Sequence, residues 1–150
     1  LGSSVGISKA HSEEELAAAL DLAARYDRRL LVEQAINARE IECSVLGNDS
    51  PIASLPGEII PKREFYDYEA KYLDAQTELI VPADLPPQTT ATVRELAVRA
   101  FVALDCAGMA RADFFVDRVT GLVYLNELNT IPGFTKVSMY PRMWEASGIP

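Results

Sequence analysis

Cysteine, histidine and positive charge are all scarce in this sequence of 150 residues. Two cysteines and one histidine are too few for a disulfide framework, and neither Cys43 nor Cys106 has a partner at zinc-ligand spacing. The 14 basic residues are outnumbered by 22 acidic ones, which gives a formal charge of -8. Nucleic acids and anionic membranes bind basic surfaces, so this charge argues against both as partners.

Long apolar runs are also missing. No stretch approaches the length of a membrane span, and the opening residues, LGSSVGISK, lack the basic start and apolar core of a signal peptide. A content of 49% hydrophobic and 24% charged residues is typical of a soluble globular protein. We therefore expect a cytoplasmic location and one domain or part of one. The opening glycine and serine cluster normally follows a strand, which favours an excised piece of a longer chain.

Helical spacing of apolar residues predicts three helices. Ser12 followed by Glu15 is a capping box, and the periodic residues after it predict a helix over about residues 12–26. Pro86-Pro87 starts a long second helix, and a short last helix is expected near residues 138–146. The second helix carries a stripe that we assign to the core, namely Val93, Leu96, Ala97, Ala100, Phe101 and Leu104.

Alternation of polar and apolar residues predicts strands. Over residues 39–46, the side chains of Ile41, Cys43 and Val45 fall on one side and those of Glu40, Glu42 and Ser44 on the other. Further short strands are expected at residues 30–33, 52–55 and 58–60, which predicts an antiparallel meander, and another strand is expected at residues 78–81. Between Pro61 and Asp74 the sequence predicts a long loop, and long loops inside compact domains are usually functional.

Residues 109–117 and 122–129 predict an acidic β-hairpin with Thr120-Gly121 at its turn. Alternation puts Arg111 and Asp113 on one face of the first strand. It puts Val123, Leu125, Glu127 and Asn129 on one face of the second. If these faces coincide, paired residue numbers must have an even sum. Among such registers we take the one that places Asp113 opposite Glu127 and Arg111 opposite Asn129.

Two opposed carboxylates repel each other unless a cation or a proton lies between them. Hard oxygen ligands at this density suit Mg²⁺ or Mn²⁺. The alternative is a pair of solvated acids on an exposed sheet face. Phe114, Phe115, Tyr124 and Leu125 make the hairpin apolar on both faces, which favours the metal site. A metal-dependent hydrolase would present a similar cluster, so the hairpin alone does not fix the reaction.

Two further segments could contact phosphate groups. GSSVG, which contains Ser3 and Ser4, offers backbone N–H groups that can surround phosphate oxygens, although an ordinary turn has the same composition. Lys71 could neutralise a terminal phosphate, although a lysine in a loop is often simply solvated. Neither segment is specific by itself.

In combination and in order, the motifs are specific. GSSVG, VEQAINAREIE, FYDYEAKY, ARADFF, YLNELNTIPGFT and SMYP closely resemble the carboxyl-terminal catalytic region of D-alanine-D-alanine ligases, in the ATP-grasp superfamily. The resemblance covers essentially residues 1–150 and implies an α+β ATP-grasp fold, an antiparallel sheet with flanking helices, present as an incomplete portion. The amino-terminal substrate domain and the upstream part of the ATP-binding subdomain are not in this sequence.

The resemblance implies a reaction and roles for individual residues. ATP would phosphorylate the carboxylate of one D-alanine, and the amine of a second would displace phosphate to give a peptidoglycan precursor. The implied ligands of two magnesium or manganese ions are Asp113, Glu127 and Asn129. The implied nucleotide contacts are Ser4, Glu33, Ile36, Glu40, Lys71, Asn126 and Glu127. Arg111 and the backbone N–H of Gly133 would stabilise the oxyanion, and Ser138 and the amide of Met139 would bind the second D-alanine's carboxylate.

The family also implies a closing loop, in which Tyr72, Ser3 and Glu40 form a hydrogen-bonded trio over the site. Closure would exclude water that hydrolyses the acylphosphate. Tyr72 within EAKY matches ligases that form D-alanyl-D-alanine, and the family is commonly dimeric, so we expect a homodimer for the full-length protein. Two alternatives stay open: a nucleotide-binding fragment without turnover, and a related ligase that takes D-serine or D-lactate as its second substrate.

Overall fold

The computed structural model describes residues 5–60 and 78–150. Its elements, in chain order, are α1 (Glu13–Ala23), β1 (Ala38–Gly47), β2 (Ile52–Ala53), β3 (Gly57–Ile60), β4 (Glu78–Ile80), α2 (Pro87–Ala103), β5 (Gly108–Asp117), β6 (Val123–Asn129) and α3 (Met139–Ala146). They fall into two compact units. The described part of the first is residues 5–35, and the second consists of residues 36–60 and 78–150.

The first unit contains α1, which begins at the predicted cap. The Ser12 hydroxyl accepts a hydrogen bond from the Glu15 N–H at 3.2 Å, and the Glu15 carboxylate accepts one from the His11 N–H at 2.7 Å. The second bond lies one residue upstream of a strict capping box. The helix ends at Ala23 rather than near Tyr26, because residues 24–26 form a turn.

The strand predicted at residues 30–33 is wrong. Leu31 is 89% exposed and Val32 is 65% exposed, and no described segment pairs with them. A strand forms through hydrogen bonds to a neighbouring strand, so an apolar run of four residues does not specify one by itself.

The second unit is built on an antiparallel sheet. Its order in the described residues is β4-β3-β1-β5-β6, with β2 also paired to β1. The antiparallel pairing predicted over residues 39–60 is confirmed, because β1 pairs antiparallel with both β2 and β3. The order is not that of a simple meander, because in the described sheet β2 pairs with β1 and not with β3. β5 pairs with the full length of β1, from Ala38 opposite Asp117 to Gly47 opposite Gly108. β1 is therefore the central strand of this sheet and is paired along both of its edges.

One face of the sheet packs against α2. The buried cluster on this face comprises Ile41, Cys43, Val45, Ala53, Val93, Ala97, Phe101, Ala110, Ala112, Phe114 and Val116. Three members of the predicted α2 stripe, Val93, Ala97 and Phe101, are 0% exposed. Leu104 does not belong to the core: it is 63% exposed and follows the last helical residue, so the helical spacing no longer turns it inward.

The other face packs against α3. The Ser44 hydroxyl donates to the Tyr140 carbonyl at 3.2 Å, and the Tyr140 hydroxyl donates to the Val45 carbonyl at 3.0 Å. The polar side of β1 is therefore covered, with Glu42 5% exposed. The α+β architecture with an antiparallel sheet and flanking helices is confirmed. No helix within the described ranges has the length and apolarity needed to cross a bilayer.

The two thiols should differ in reactivity. Cys43 is 0% exposed and burial raises its pKa to about 12, whereas Cys106 is half-buried. Because the thiolate is the nucleophile, we expect iodoacetamide at neutral pH to alkylate native protein at Cys106 and to leave Cys43 intact, as peptide mass mapping would show. Both should react in urea. Equal labelling of the two in native protein would contradict the core position of Cys43.

Candidate active site on the acidic hairpin

The β5–β6 hairpin has the predicted register where the acidic residues lie. Asp113 is opposite Glu127, and Arg111 is opposite Asn129. Both pairings are therefore confirmed. They place two carboxylates, one amide and one guanidinium at adjacent positions on one face of the sheet.

A β-bulge at Asn126 changes the alternation beyond this point. The pairing steps from Asp113 opposite Glu127 to Phe114 opposite Leu125, so Asn126 is the extra residue. Leu125 therefore shares the face of Phe114, and the prediction that Val123 and Leu125 share the face of Glu127 is wrong. One inserted residue shifts the alternation, so the side chains on the two sides of a bulge follow opposite patterns of facing. Bulges commonly re-aim side chains next to active sites.

The side chains of the hairpin are more exposed to solvent than its apolar composition predicted. Phe114 is 1% exposed, but Tyr124 is 42% and Leu125 is 44% exposed. The expectation of burial on both faces is thus wrong for β6, which is an edge strand of the described sheet. Glu127 is exposed as a result, and a soluble ligand can reach its carboxylate.

Glu42 on β1 adds a third carboxylate that the residues predicted from sequence did not include. It lies opposite Asp113, which lies opposite Glu127, so the three acids form a row across three strands. The alternation of β1 put Glu42 on the polar side of its strand. The sequence could not show that β1 pairs with β5, which brings this side chain to the hairpin.

Arg111 connects the acids of this row. Its Nε and Nη2 donate to Oδ1 and Oδ2 of Asp113 at 2.7 Å each, and its Nε lies 3.2 Å from Oε1 of Glu42. Burial lowers the pKa of Arg111, but the hydrogen bond to Asp113 and the charges of Glu42, Asp113 and Glu127 raise it by more. The guanidinium stays charged and forms one electrostatic unit with the three carboxylates.

The chemistry of the predicted metal ligands fits a hard divalent cation. Asp113 and Glu127 supply carboxylates, and Asn129 supplies an amide oxygen, which accepts from the Ile131 N–H at 3.0 Å and keeps a second lone pair. In the part of the chain that the structure describes, no three His, Cys, Asp or Glu residues form a metal cluster. The set is too small for an all-protein cage, which suits Mg²⁺, since this ion keeps waters and binds substrate phosphates.

Gly133 and Ser138 lie together in the loop that leads into α3. A Cβ built on Gly133 would lie 3.0 Å from the Ser138 hydroxyl oxygen. That oxygen accepts a hydrogen bond from the Thr135 N–H at 3.0 Å, and Ser138 is the N-cap residue of α3. The fold therefore brings together two residues for which the sequence predicted neighbouring substrate contacts.

Met139 packs into space left by a glycine. Gly57 on β3 is opposite Glu42, so a side chain at this position would point to the sheet face that carries the acidic row. A Cβ built on Gly57 would overlap the methyl group of Met139 and lie 3.2 Å from Cγ2 of Val81. Met139 is 6% exposed. The missing side chain of Gly57 thus allows the first turn of α3 to lie against the sheet.

Gly57→Ala should therefore destabilise the protein. The added methyl overfills this contact, and because the displaced atom is the flexible end of Met139 we expect a loss of about 1 kcal/mol in the free energy of unfolding. Thermal or urea denaturation measures it. Adding Met139→Leu removes the overlapping methyl and should restore part of the loss. An unchanged denaturation curve for Gly57→Ala would contradict the packing.

The structure describes three of the remaining predicted residues, and the others lie outside the described ranges. Glu40 lies on the same face of β1 as Glu42, opposite Phe115. Ile36 is half-buried just before β1, and Glu33 is exposed in the first unit. The residues Ser3, Ser4, Lys71 and Tyr72, with the predicted closing loop, lie outside the described residues. Their roles stay predictions.

The sheet and its flanking helices have the ATP-grasp architecture of solved ligases. The D-alanine-D-alanine ligase from Coxiella burnetii matches 100% of this chain and 39% of its own, with a TM-score of 0.86 and 47% identity. The VanG D-Ala:D-Ser ligase from Enterococcus faecalis matches 98% of this chain and 43% of its own, with a TM-score of 0.86 and 39% identity.

The chain belongs to the D-ala D-ala ligase C-terminus family, whose model matches residues 1–150. The D-alanine–D-alanine ligase of Clostridium novyi (strain NT) is 65% identical over 147 residues, which make up 98% of this chain and 43% of that relative. The chain therefore spans less than half the length of the relatives described here. The family inferred from the motifs is confirmed, and the roles of single residues stay predictions.

Proposed function

We propose that this chain forms most of the ATP-binding and metal-binding half of a D-alanine–D-alanine ligase. In the reaction, ATP phosphorylates the carboxylate of one D-alanine. The amine of a second D-alanine then attacks the acylphosphate carbonyl and phosphate leaves. The observation that supports this best is the pair of facing carboxylates, Asp113 and Glu127, beside the charged Arg111, in a chain of the ligase family.

Asp113, Glu127 and Asn129 would hold two magnesium ions. When bound, such ions neutralise phosphate charge during phosphoryl transfer. Arg111 and the N–H of Gly133 would donate to the oxyanion of the attack step, where each fixed donor supplies roughly 3 kcal/mol of transition-state stabilisation. The guanidinium of Arg111 is charged at neutral pH, and the row of acids beside it offsets the cost of its burial.

The remaining assignments concern the nucleotide, the second substrate and the assembly. Ser4, Glu33, Ile36, Glu40, Lys71 and Asn126 would contact ATP. Ser138 and the Met139 amide would bind the carboxylate of the second D-alanine, and the trio of Tyr72, Ser3 and Glu40 would close the loop. The full-length protein would be a cytoplasmic homodimer.

Phosphate release by the full-length protein tests the proposal. With ATP, magnesium and D-alanine we expect release that depends on D-alanine and is matched by dipeptide. No D-alanine-dependent release would refute the ligase and leave a nucleotide-binding module without turnover. Loss of ATP without any dipeptide would indicate a metal-dependent phosphohydrolase.

A second substrate other than D-alanine is a candidate because a D-Ala:D-Ser ligase is among the structural matches. A competition assay that offers D-alanine, D-serine and D-lactate together distinguishes the three. The EAKY sequence that contains Tyr72 leads us to expect D-alanyl-D-alanine as the main product. Predominance of the mixed dipeptide or of the ester would assign the chain to one of the related ligases.

A further inference from the structure

Glu42 is a buried carboxylate that directly contacts the proposed catalytic arginine. We propose that it is a positioning residue, which holds Arg111 in place so that the carboxylate of Asp113 can serve a metal ion. This inference rests on the proposed function. Of the two carboxylates that contact Arg111, that of Glu42 would hold the guanidinium and that of Asp113 would bind the metal ion.

The contacts show why Arg111 needs a second anchor. Both carboxylate oxygens of Asp113 accept hydrogen bonds from Arg111, at 2.7 Å each. A cation that coordinates Asp113 competes with the guanidinium for these oxygens. The Nε of Arg111 also faces Oε1 of Glu42 at 3.2 Å, so Glu42 offers an acceptor that leaves Asp113 available.

Glu42 is well placed for this task because its backbone is fixed on both sides. It lies on the central strand, with Gly57 of β3 on one side and Asp113 of β5 on the other. The side chain of Glu42 is 7% exposed and that of Arg111 is 18% exposed. A buried carboxylate is costly unless an opposite charge offsets it, and Arg111 supplies that charge. Each group therefore stabilises the other in its position.

Binding of Mn²⁺ with ADP to the full-length protein provides the test, measured by calorimetry without turnover. Glu42→Gln keeps the shape of the side chain but weakens its attraction for Arg111, which then pairs more strongly with Asp113. We expect the Mn²⁺ dissociation constant to rise about tenfold, as for other residues that support a metal ligand. We also expect kcat to fall by more than KM for ATP rises.

Glu58→Gln is the matched control. Glu58 and Glu42 are each 5% exposed, and Glu58 pairs with Arg39 at 2.8 and 2.6 Å. Glu58 is opposite Ile41, so it lies on the other face of the sheet. Both variants lose a buried ion pair and should have a lower melting temperature than the wild type. Only Glu42→Gln should weaken Mn²⁺ binding. Equal changes in Mn²⁺ affinity for both, or no change for Glu42→Gln, would overturn the inference.

A double-mutant cycle separates positioning from a general effect of charge. In an Arg111→Lys background the two-pronged contact with Asp113 is absent, so adding Glu42→Gln should change Mn²⁺ affinity little. An equal effect in both backgrounds would show that Glu42 acts independently of Arg111, which contradicts the proposal. If Glu42→Gln does not fold, Glu42→Asp withdraws the carboxylate by one methylene and should weaken Mn²⁺ binding in the same direction.

The measurements distinguish a wrong ligase function from a wrong role for Glu42. If wild-type protein neither binds Mn²⁺ with ADP nor releases phosphate with D-alanine, the proposed ligase function itself is wrong. If the wild type does both and Glu42→Gln leaves Mn²⁺ affinity and kcat unchanged, only the role of Glu42 is wrong.

Discussion

Glu127→Gln is expected to lower magnesium-dependent turnover by about a hundredfold or more, because it removes one of the two charges proposed to hold the metal ion. Gln keeps the length of the side chain and one oxygen, so only the charge and the second carboxylate oxygen are lost. Initial rates of phosphate release over a range of magnesium concentrations measure the effect. Part of the activity should return at high magnesium.

Leu128→Ala is the control for this variant. Leu128 is the next residue of β6, opposite Ala112, and packs against the core on the α2 face. It should lower the melting temperature and change the rate by no more than about threefold, since the folded site is intact. Glu127 is exposed and faces Asp113, so Glu127→Gln should be at least as stable as the wild type because a like-charge contact is relieved. Comparable losses of activity from both variants would contradict the metal assignment.

The strands that carry the site were predictable because their signals are local. Polar and apolar residues alternate along β1 and β5, and Thr120-Gly121 marks the turn of the hairpin. Since side chains alternate with a period of two, requiring Asp113 and Glu127 to share a face excluded half of the possible registers, and the predicted pairing among those left is the one that the structure shows. The helix cap at Ser12 was visible for the same local reason.

The wrong or missing predictions have two causes. Either the feature leaves the composition of its strand unchanged, or it depends on a strand that is distant in the sequence. The bulge at Asn126 inserts one residue into a strand and leaves its composition unchanged, so Leu125 was assigned to the wrong face. The role of Glu42 depends on the pairing of β1 with β5, more than sixty positions apart in the numbering. Its alternation showed a polar face, but not that α3 covers that face.

Arg111→Lys is expected to lower kcat by about a hundredfold to a thousandfold, the usual effect of losing one oxyanion donor. Lysine keeps the positive charge but cannot reproduce the planar fork that donates to both oxygens of Asp113. Lysine is also the informative change, because a neutral residue would leave the buried carboxylate of Glu42 and the half-buried carboxylate of Asp113 without their cation. Breaking a buried ion pair in this way destabilises a fold by about 3–5 kcal/mol. Steady-state kinetics with ATP and D-alanine measure the effect.

The relative changes in kcat and KM distinguish two roles for Arg111, oxyanion donor and ground-state contact of the nucleotide. A donor used only in the attack step should leave KM for ATP within about threefold of the wild type. Arg99→Lys is the matched control, since Arg99 on α2 is 69% exposed and bridges only to Glu95 at 3.6 Å among the contacts described, so both parameters should stay unchanged. A raised KM with an intact kcat for Arg111→Lys would assign Arg111 to ground-state binding of the nucleotide, and Gly133 would then need another partner for the oxyanion.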